Sequence, residues 1–210
     1  MKKLLLITLS IILVFNTMLK AQKSHTGIKA GLNLSSLTTD GNNDKNLKMG
    51  LVAGIYNKMT LGNSFAIQPE LLFSSNGIKY NYDDNAITDG NTKFNLNYIQ
   101  LPVKLVFNLS PDFEFQFGPY VGYLVNANVD TDAQVLDYFN INSQDEIDRD
   151  KFNNFDVGLS GGLGFDLAPL IFGFNYNIGL NPVAKKDEIS RDMLGDAKNA
   201  VIQVYAGIHF

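Results

Sequence analysis

The sequence predicts an all-β fold, an eight-stranded antiparallel up-and-down transmembrane β-barrel with short periplasmic turns and long extracellular loops. Three observations predict it. Apolar and polar residues alternate with period two in eight successive segments, the connections alternate between short and long, and the apolar face carries more aromatic volume than a narrow barrel holds inside. With 210 residues, 45% hydrophobic and 18% charged, the chain has the size of one domain and matches neither disordered chains nor helical membrane proteins.

The first segment is not part of the barrel. Lys2 and Lys3 precede an apolar run from Leu4 to Phe15, followed by a more polar stretch and the small residue Ala21, the order of a secretory signal peptide. The run stops at Asn16 after twelve residues, whereas a membrane-crossing helix needs about 20. The chain therefore divides into a signal peptide, residues 1–21, and a barrel domain, residues 22–210, with cleavage between Ala21 and Gln22. Intact-mass measurement of membrane-purified protein should give a chain beginning at Gln22, and one that retains Met1 would refute the assignment. Removing the signal takes away three lysines and no acids, leaving 14 basic residues against 21 acidic and a net charge of −7. Such a balance excludes the basic face that a nucleic-acid partner requires. Without cysteine there is no disulfide, thiolate metal site or lipid-anchor thiol.

The strands follow in order. The first, residues 27–34, turns Lys29 to the polar face, and the second, 48–61, is the least regular, with Gly50, Gly54 and Lys58 sharing one face. In the third, 65 to about 80, Phe65, Ile67, Leu71 and Phe73 oppose Gln68 and Glu70. In the fourth, 94–109, Ile99, Leu101, Val103 and Leu105 oppose Gln100 and Lys104, and the phase changes near Tyr98, where a β-bulge would re-aim the face. The fifth sets Phe113, Phe115 and Phe117 against Glu114 and Gln116. The sixth sets Phe155, Val157 and Phe165 against Asp156, Ser160 and Asp166, and the seventh Phe172, Phe174 and Tyr176 against Gly173 and Asn175. The last, 200–210, alternates Ile202, Val204, Ile208 and Phe210 with Gln203, Tyr205 and His209.

Residues 62–64, 110–112 and 168–169 have tight-turn compositions, while 35–47, 81–93, 127–154 and 181–199 are long connections. Outer-membrane barrels alternate in this way. The third long loop carries Asp130, Asp132, Asp137, Asp145, Glu146, Asp148 and Asp150, but without EF-hand spacing, so it reads as a solvated acidic loop rather than a calcium site. Short helical turns are expected at 132–139 and 184–194. Loops on a rigid barrel are where binding is expected.

Volume decides which face is outside. Eight strands enclose little more than their own side chains, so the aromatic face meets outer-membrane lipid and a soluble lipocalin-like barrel is the disfavoured alternative. The polar face then lines the lumen with Lys29, Glu70, Gln100, Lys104, Glu114 and Tyr205 as a polar network. Glu70 and Lys104 fall at similar depth on adjacent strands and should pair, closing the interior. Phe65, Phe113 and Phe210 at one end and Tyr80, Tyr82 and Tyr123 towards the other fit interfacial girdles.

The segments Gly27-Ile-Lys-Ala-Gly-Leu-Asn-Leu-Ser35, Gln68-Pro-Glu-Leu-Leu-Phe-Ser-Ser-Asn-Gly77, Tyr98-Ile-Gln-Leu-Pro-Val-Lys-Leu105 and Gly118-Pro-Tyr-Val-Gly122, with the final strand, resemble the PorT-like, OmpX-like outer-membrane β-barrel family. The resemblance spans nearly all of the barrel domain. It implies a monomer in a Gram-negative outer membrane, and secretion or envelope proteins as partners. The C-terminal Phe210 resembles the signal read by the barrel assembly machinery.

An outer-membrane enzyme, a lipid A modifier or a protease, is the rival class. It needs a positioned base and nucleophile. The chain has two histidines, His25 and His209, both at turn-side ends, and no GxxxxGK[ST], HExxH or GxSxG motif. His209 near Asp166 or Glu114 reads as a lumen histidine satisfied by polar neighbours. The expectation is a non-enzymatic barrel without cofactor or metal, structural or interaction-mediating.

Overall fold

A computed structural model describes residues 24–38, 47–62, 64–84, 88–135, 139–146, 152–185 and 196–210. Ala21 and Gln22, with the rest of the signal assignment, lie outside these. Among the described residues nine strands are present: β1 (Ser24–Thr38), β2 (Lys48–Thr60), β3 (Phe65–Asp84), β4 (Thr88–Asn108), β5 (Phe113–Val135), β6 (Phe139–Glu146), β7 (Phe155–Leu167), β8 (Leu170–Gly179) and β9 (Lys198–His209). Each pairs antiparallel with the next except around β6, where β5 pairs with β7 through residues 113–123 and with β6 through 128–135. β1 pairs with both β2 and β9, which closes eight strands into a barrel. Closure leaves no open edge at the level where hydrocarbon would expose unbonded backbone.

Burial alternates as the sequence does, but with the apolar side out. Met49, Leu51, Phe65, Phe165, Phe174 and Val204 are exposed, while Lys29, Glu70, Lys104, Gln116 and Gln203 are buried. A soluble barrel with this surface would present an apolar belt to water; a membrane barrel presents it to lipid. Aromatic pairs gather near the belt's edges, with Phe65 against Phe107 and Phe113 against Phe165 at the turn side and Tyr123 against Phe155 at the other. The side chains of Tyr80 and Tyr82 lie outside the described residues.

Three expectations are corrected. β4 keeps its phase: Leu96, Tyr98 and Gln100 are all buried, and Phe94 is partly so. The irregularity is in its partner, because Asn97 faces Asn126 while Tyr98 faces Leu124, leaving Val125 of β5 as the extra residue. What changes near Tyr98 is the chemistry of the lumen, from polar to apolar. Where helical turns were expected at 132–139, the described residues up to Val135 and from Phe139 are strand, and residues 136–138 lie outside the described ones; in the 184–194 segment, Ala184 bridges Phe152 and residues 186–195 lie outside the described ones. Finally, the second and third long loops are largely hairpin. β3, β4 and β5 run to 20, 21 and 23 residues, about twice the 9 to 11 that a tilted strand needs to cross. Their excess rises on the side away from the tight turns, joined by β6.

At that rim β3 parts from β2, whose last register pair is Val52 with Ser74. Backbone acceptors left there still need donors. Asn33 Nδ2 donates to the Ser75 carbonyl at 3.3 Å, Lys48 Nζ to that of Asn76 at 3.0 Å and Ser35 Oγ to that of Gly77 at 3.0 Å.

Candidate functional site

The lumen holds a continuous chain of charged and polar side chains drawn from β1, β2, β3, β4, β5 and β7. Glu70 stands at its centre, with Oε2 2.7 Å from Lys29 Nζ and Oε1 3.3 Å from Lys104 Nζ. Gln68 donates to the same Oε1 at 2.7 Å. Lys104 also donates to Gln116 Oε1 at 3.3 Å, Gln116 donates to Glu114 Oε1 at 2.6 Å, and Lys58 bonds both Glu114 and, at 2.9 Å, Asp166 Oδ2. Three lysines therefore meet three carboxylates in this chain. Balance of that kind is what makes buried charge tolerable.

Local sequence explains how the groups reach one another. Glycines on the inward face of β2 leave room for β1 side chains to pass over it: Lys29 pairs in register with Gly54 and reaches Glu70 on β3, and Asn33 pairs with Gly50 and reaches Ser74 on β3 at 2.9 Å. Tyr205 lies across Gly173 of β8, its register partner, and a Cβ there would sit 2.3 Å from the ring. Tyr120 covers Gly158 of β7 in the same way, at 2.5 Å. Lys29 Nζ stands 4.4 Å from the centroid of the Tyr205 ring, a cation–π distance.

Of the six residues expected in the lumen, Lys29, Glu70, Lys104 and Tyr205 come into mutual contact and Glu114 joins through Gln116. Gln100 is buried on the next level, in register with Leu72 and Gly122. The reading from sequence assigned no role to Lys58, although its place among inward glycines of an irregular strand was the available signal.

A second feature was also missed. Leu37, Ile78, Leu96, Tyr98, Leu124 and Ala127 form an apolar cluster at the outer end of the lumen, with Phe152, Val183 and Ala184 packed into it from the connections. Those connections are stitched together: Asn153 N donates to the Val183 carbonyl and Val183 N to that of Ala197, each at 2.8 Å, and Asn153 Nδ2 donates to the Pro182 and Ala184 carbonyls. The polar interior is thus capped by an apolar stopper. Planar-bilayer recording should show no steady porin-like conductance, and a stable open pore would refute this closure.

His25 and His209 stack at the turn-side end with ring centroids 5.1 Å apart. His209 Nε2 is 3.9 Å from Asp166 Oδ1, too far for a hydrogen bond, and its Nδ1 is buried without a partner. Among the described residues neither imidazole bonds a hydroxyl. The side chains of the acidic third loop lie outside the described residues. Phe210 ends the outward face, 81% exposed, with its N–H bonded to the Thr26 carbonyl at 2.9 Å.

No curated protein matches the chain. Among solved structures it is similar to Neisserial surface protein A, at 11% identity over 90% of this chain and 99% of that one, with a TM-score of 0.50. It is also similar to Ail, the attachment invasion locus protein of Yersinia pestis, at 14% identity, 90% and 99% coverage and 0.47. For OprG from Pseudomonas aeruginosa the figures are 14%, 90% and 97%, and 0.35. At such identities the likeness speaks for the fold alone. The family described as outer membrane protein beta-barrel domain matches residues 20–185, most of the chain, and this protein belongs to that family of outer-membrane barrels.

Proposed function

We propose that this outer-membrane barrel mediates interactions, with the membrane-embedded part serving as a sealed scaffold and the extracellular sheet meeting a partner. The observation that carries the proposal is the edge of β6. It pairs with β5 and, among the described residues, with no other strand. An open edge is a template for an added strand, whose main-chain bonds supply affinity. Asp130 and Asp132 on β5 and Asp145 and Glu146 on β6 give this hairpin an acidic composition, which favours a basic extended segment as the visitor. The resemblance to PorT-like proteins directs the search to secretion and envelope proteins. Replacing residues 129–146 by a tight turn should abolish capture of that partner from intact outer membranes while heat-modifiable gel migration still reports a folded barrel. Undiminished capture would overturn the proposal.

Export through residues 1–21 and assembly through Phe210 belong to the same reading. Phe210 completes the outward face of the closing strand, and the barrel assembly machinery is the partner proposed to read it. Deleting Phe210 should leave synthesis unchanged and reduce the folded, heat-modifiable barrel in the outer membrane. An undiminished folded population would count against that role.

A further inference from the structure

The apolar stopper shuts the barrel on the outside, but the turn-side end is hollow. A cavity of about 490 Å³ lies there, lined by His25, Lys58, Thr60, Asn108, Ser110 and Asp166. Its walls come from the start of β1, the end of β2, the β4–β5 turn and the end of β7, where both the short turns and the described chain ends meet. In an outer-membrane barrel that end faces the periplasm. The volume lies within the range of small-ligand pockets.

From this geometry we propose that the periplasmic vestibule binds an organic cation, a guanidinium in preference to an ammonium, with Asp166 as its anchor. Charge selects the sign. Among the described residues lining the cavity Lys58 is the one lysine, and it is shared between Asp166 there and Glu114 deeper in the lumen, so it neutralises Asp166 only in part, and a carboxylate in such a cleft concentrates cations rather than anions. Placement selects the anchor. Lys58 takes Oδ2 of Asp166, whereas Oδ1 has His209 Nε2 at 3.9 Å, and Asp166 lines the cavity. A donor placed there supplies the hydrogen bond that the histidine is too distant to make. Shape selects the guanidinium, since a flat fork of donors bonds a carboxylate while its plane stacks on an aromatic face. His25, exposed and stacked on His209, offers that face. Thr60, Asn108 and Ser110 supply further polar contacts around the rim.

The full barrel, refolded in detergent micelles, is titrated with arginine amide while backbone amide shifts are followed by NMR. Methylammonium and acetate serve as comparators. The expected result is a saturable shift of Thr60, Asn108 and Ser110 with arginine amide, a weaker one with methylammonium and none with acetate. Asp166→Asn should weaken binding about tenfold, the loss of a charge-assisted hydrogen bond, with Lys58 still held by Glu114. Because His25 is exposed, His25→Ala should leave the barrel folded and weaken arginine amide more than methylammonium. An arginine-containing tripeptide distinguishes the source: tighter binding than arginine amide assigns the cation to a polypeptide, equal binding to a free small molecule, and both support the site. Shifts that do not saturate, equal shifts with acetate, or unchanged affinity in folded Asp166→Asn would overturn it.

Discussion

Replacing Glu70 by alanine is expected to destabilise the barrel by roughly 3–5 kcal/mol, the cost of leaving buried charge without its partner. Glu70 is the shared counter-ion of Lys29 and Lys104, and the three side chains are at most 2% exposed. Removing it strands two ammonium groups 4.4 and 5.9 Å from the Tyr205 ring centroid. Lys104→Ala should cost less, because Glu70 keeps Lys29 and Gln68. Residues that meet do not act independently, so the double variant should be less destabilised than the sum of the single ones, by about 0.5–3 kcal/mol. Urea titration of the barrel in lipid vesicles measures all three. Strict additivity would mean that the pair does not interact.

The contact between Tyr205 and Gly173 should be nearly as sensitive. Gly173→Ala places a methyl group 2.3 Å from both Cζ and Oη of the ring, and overpacking of this kind costs roughly 1–3 kcal/mol. Adding Tyr205→Phe should not relieve the strain, since the ring carbon is as close as the hydroxyl, whereas adding Tyr205→Ser should. Unchanged stability in Gly173→Ala would show that the ring does not depend on the missing side chain.

Much of this architecture is legible in the chain because lipid and lumen impose opposite chemistry on alternate residues. Phe113-Glu114-Phe115-Gln116-Phe117 declares its two faces outright, and the tight turns at 110–112 and 168–169 set the order of the strands. Depth could be counted too, which is how Glu70 and Lys104 fall at one level. The stopper was not legible for the same reason that the wall was. Leu96 and Tyr98 are apolar residues on the inward face, and a rule that equates apolar with outward reads them as a change of phase. Above the membrane water wets both faces of a strand, so the extensions of β3, β4 and β5 carry no alternation and resemble loops. Lys58 escaped notice because its partners, Glu114 and Asp166, come from strands far along the chain.

The stopper and the extracellular sheet share a boundary but few obligations. Leu96, Leu124, Phe152 and Val183 seal the interior from below the rim, while among the described residues β6 pairs with the upper part of β5 alone. Substitutions in that hairpin can therefore accumulate under pressure from the proposed partner without altering what leaks through the outer membrane. The permeability barrier and the proposed recognition surface are free to evolve at different rates.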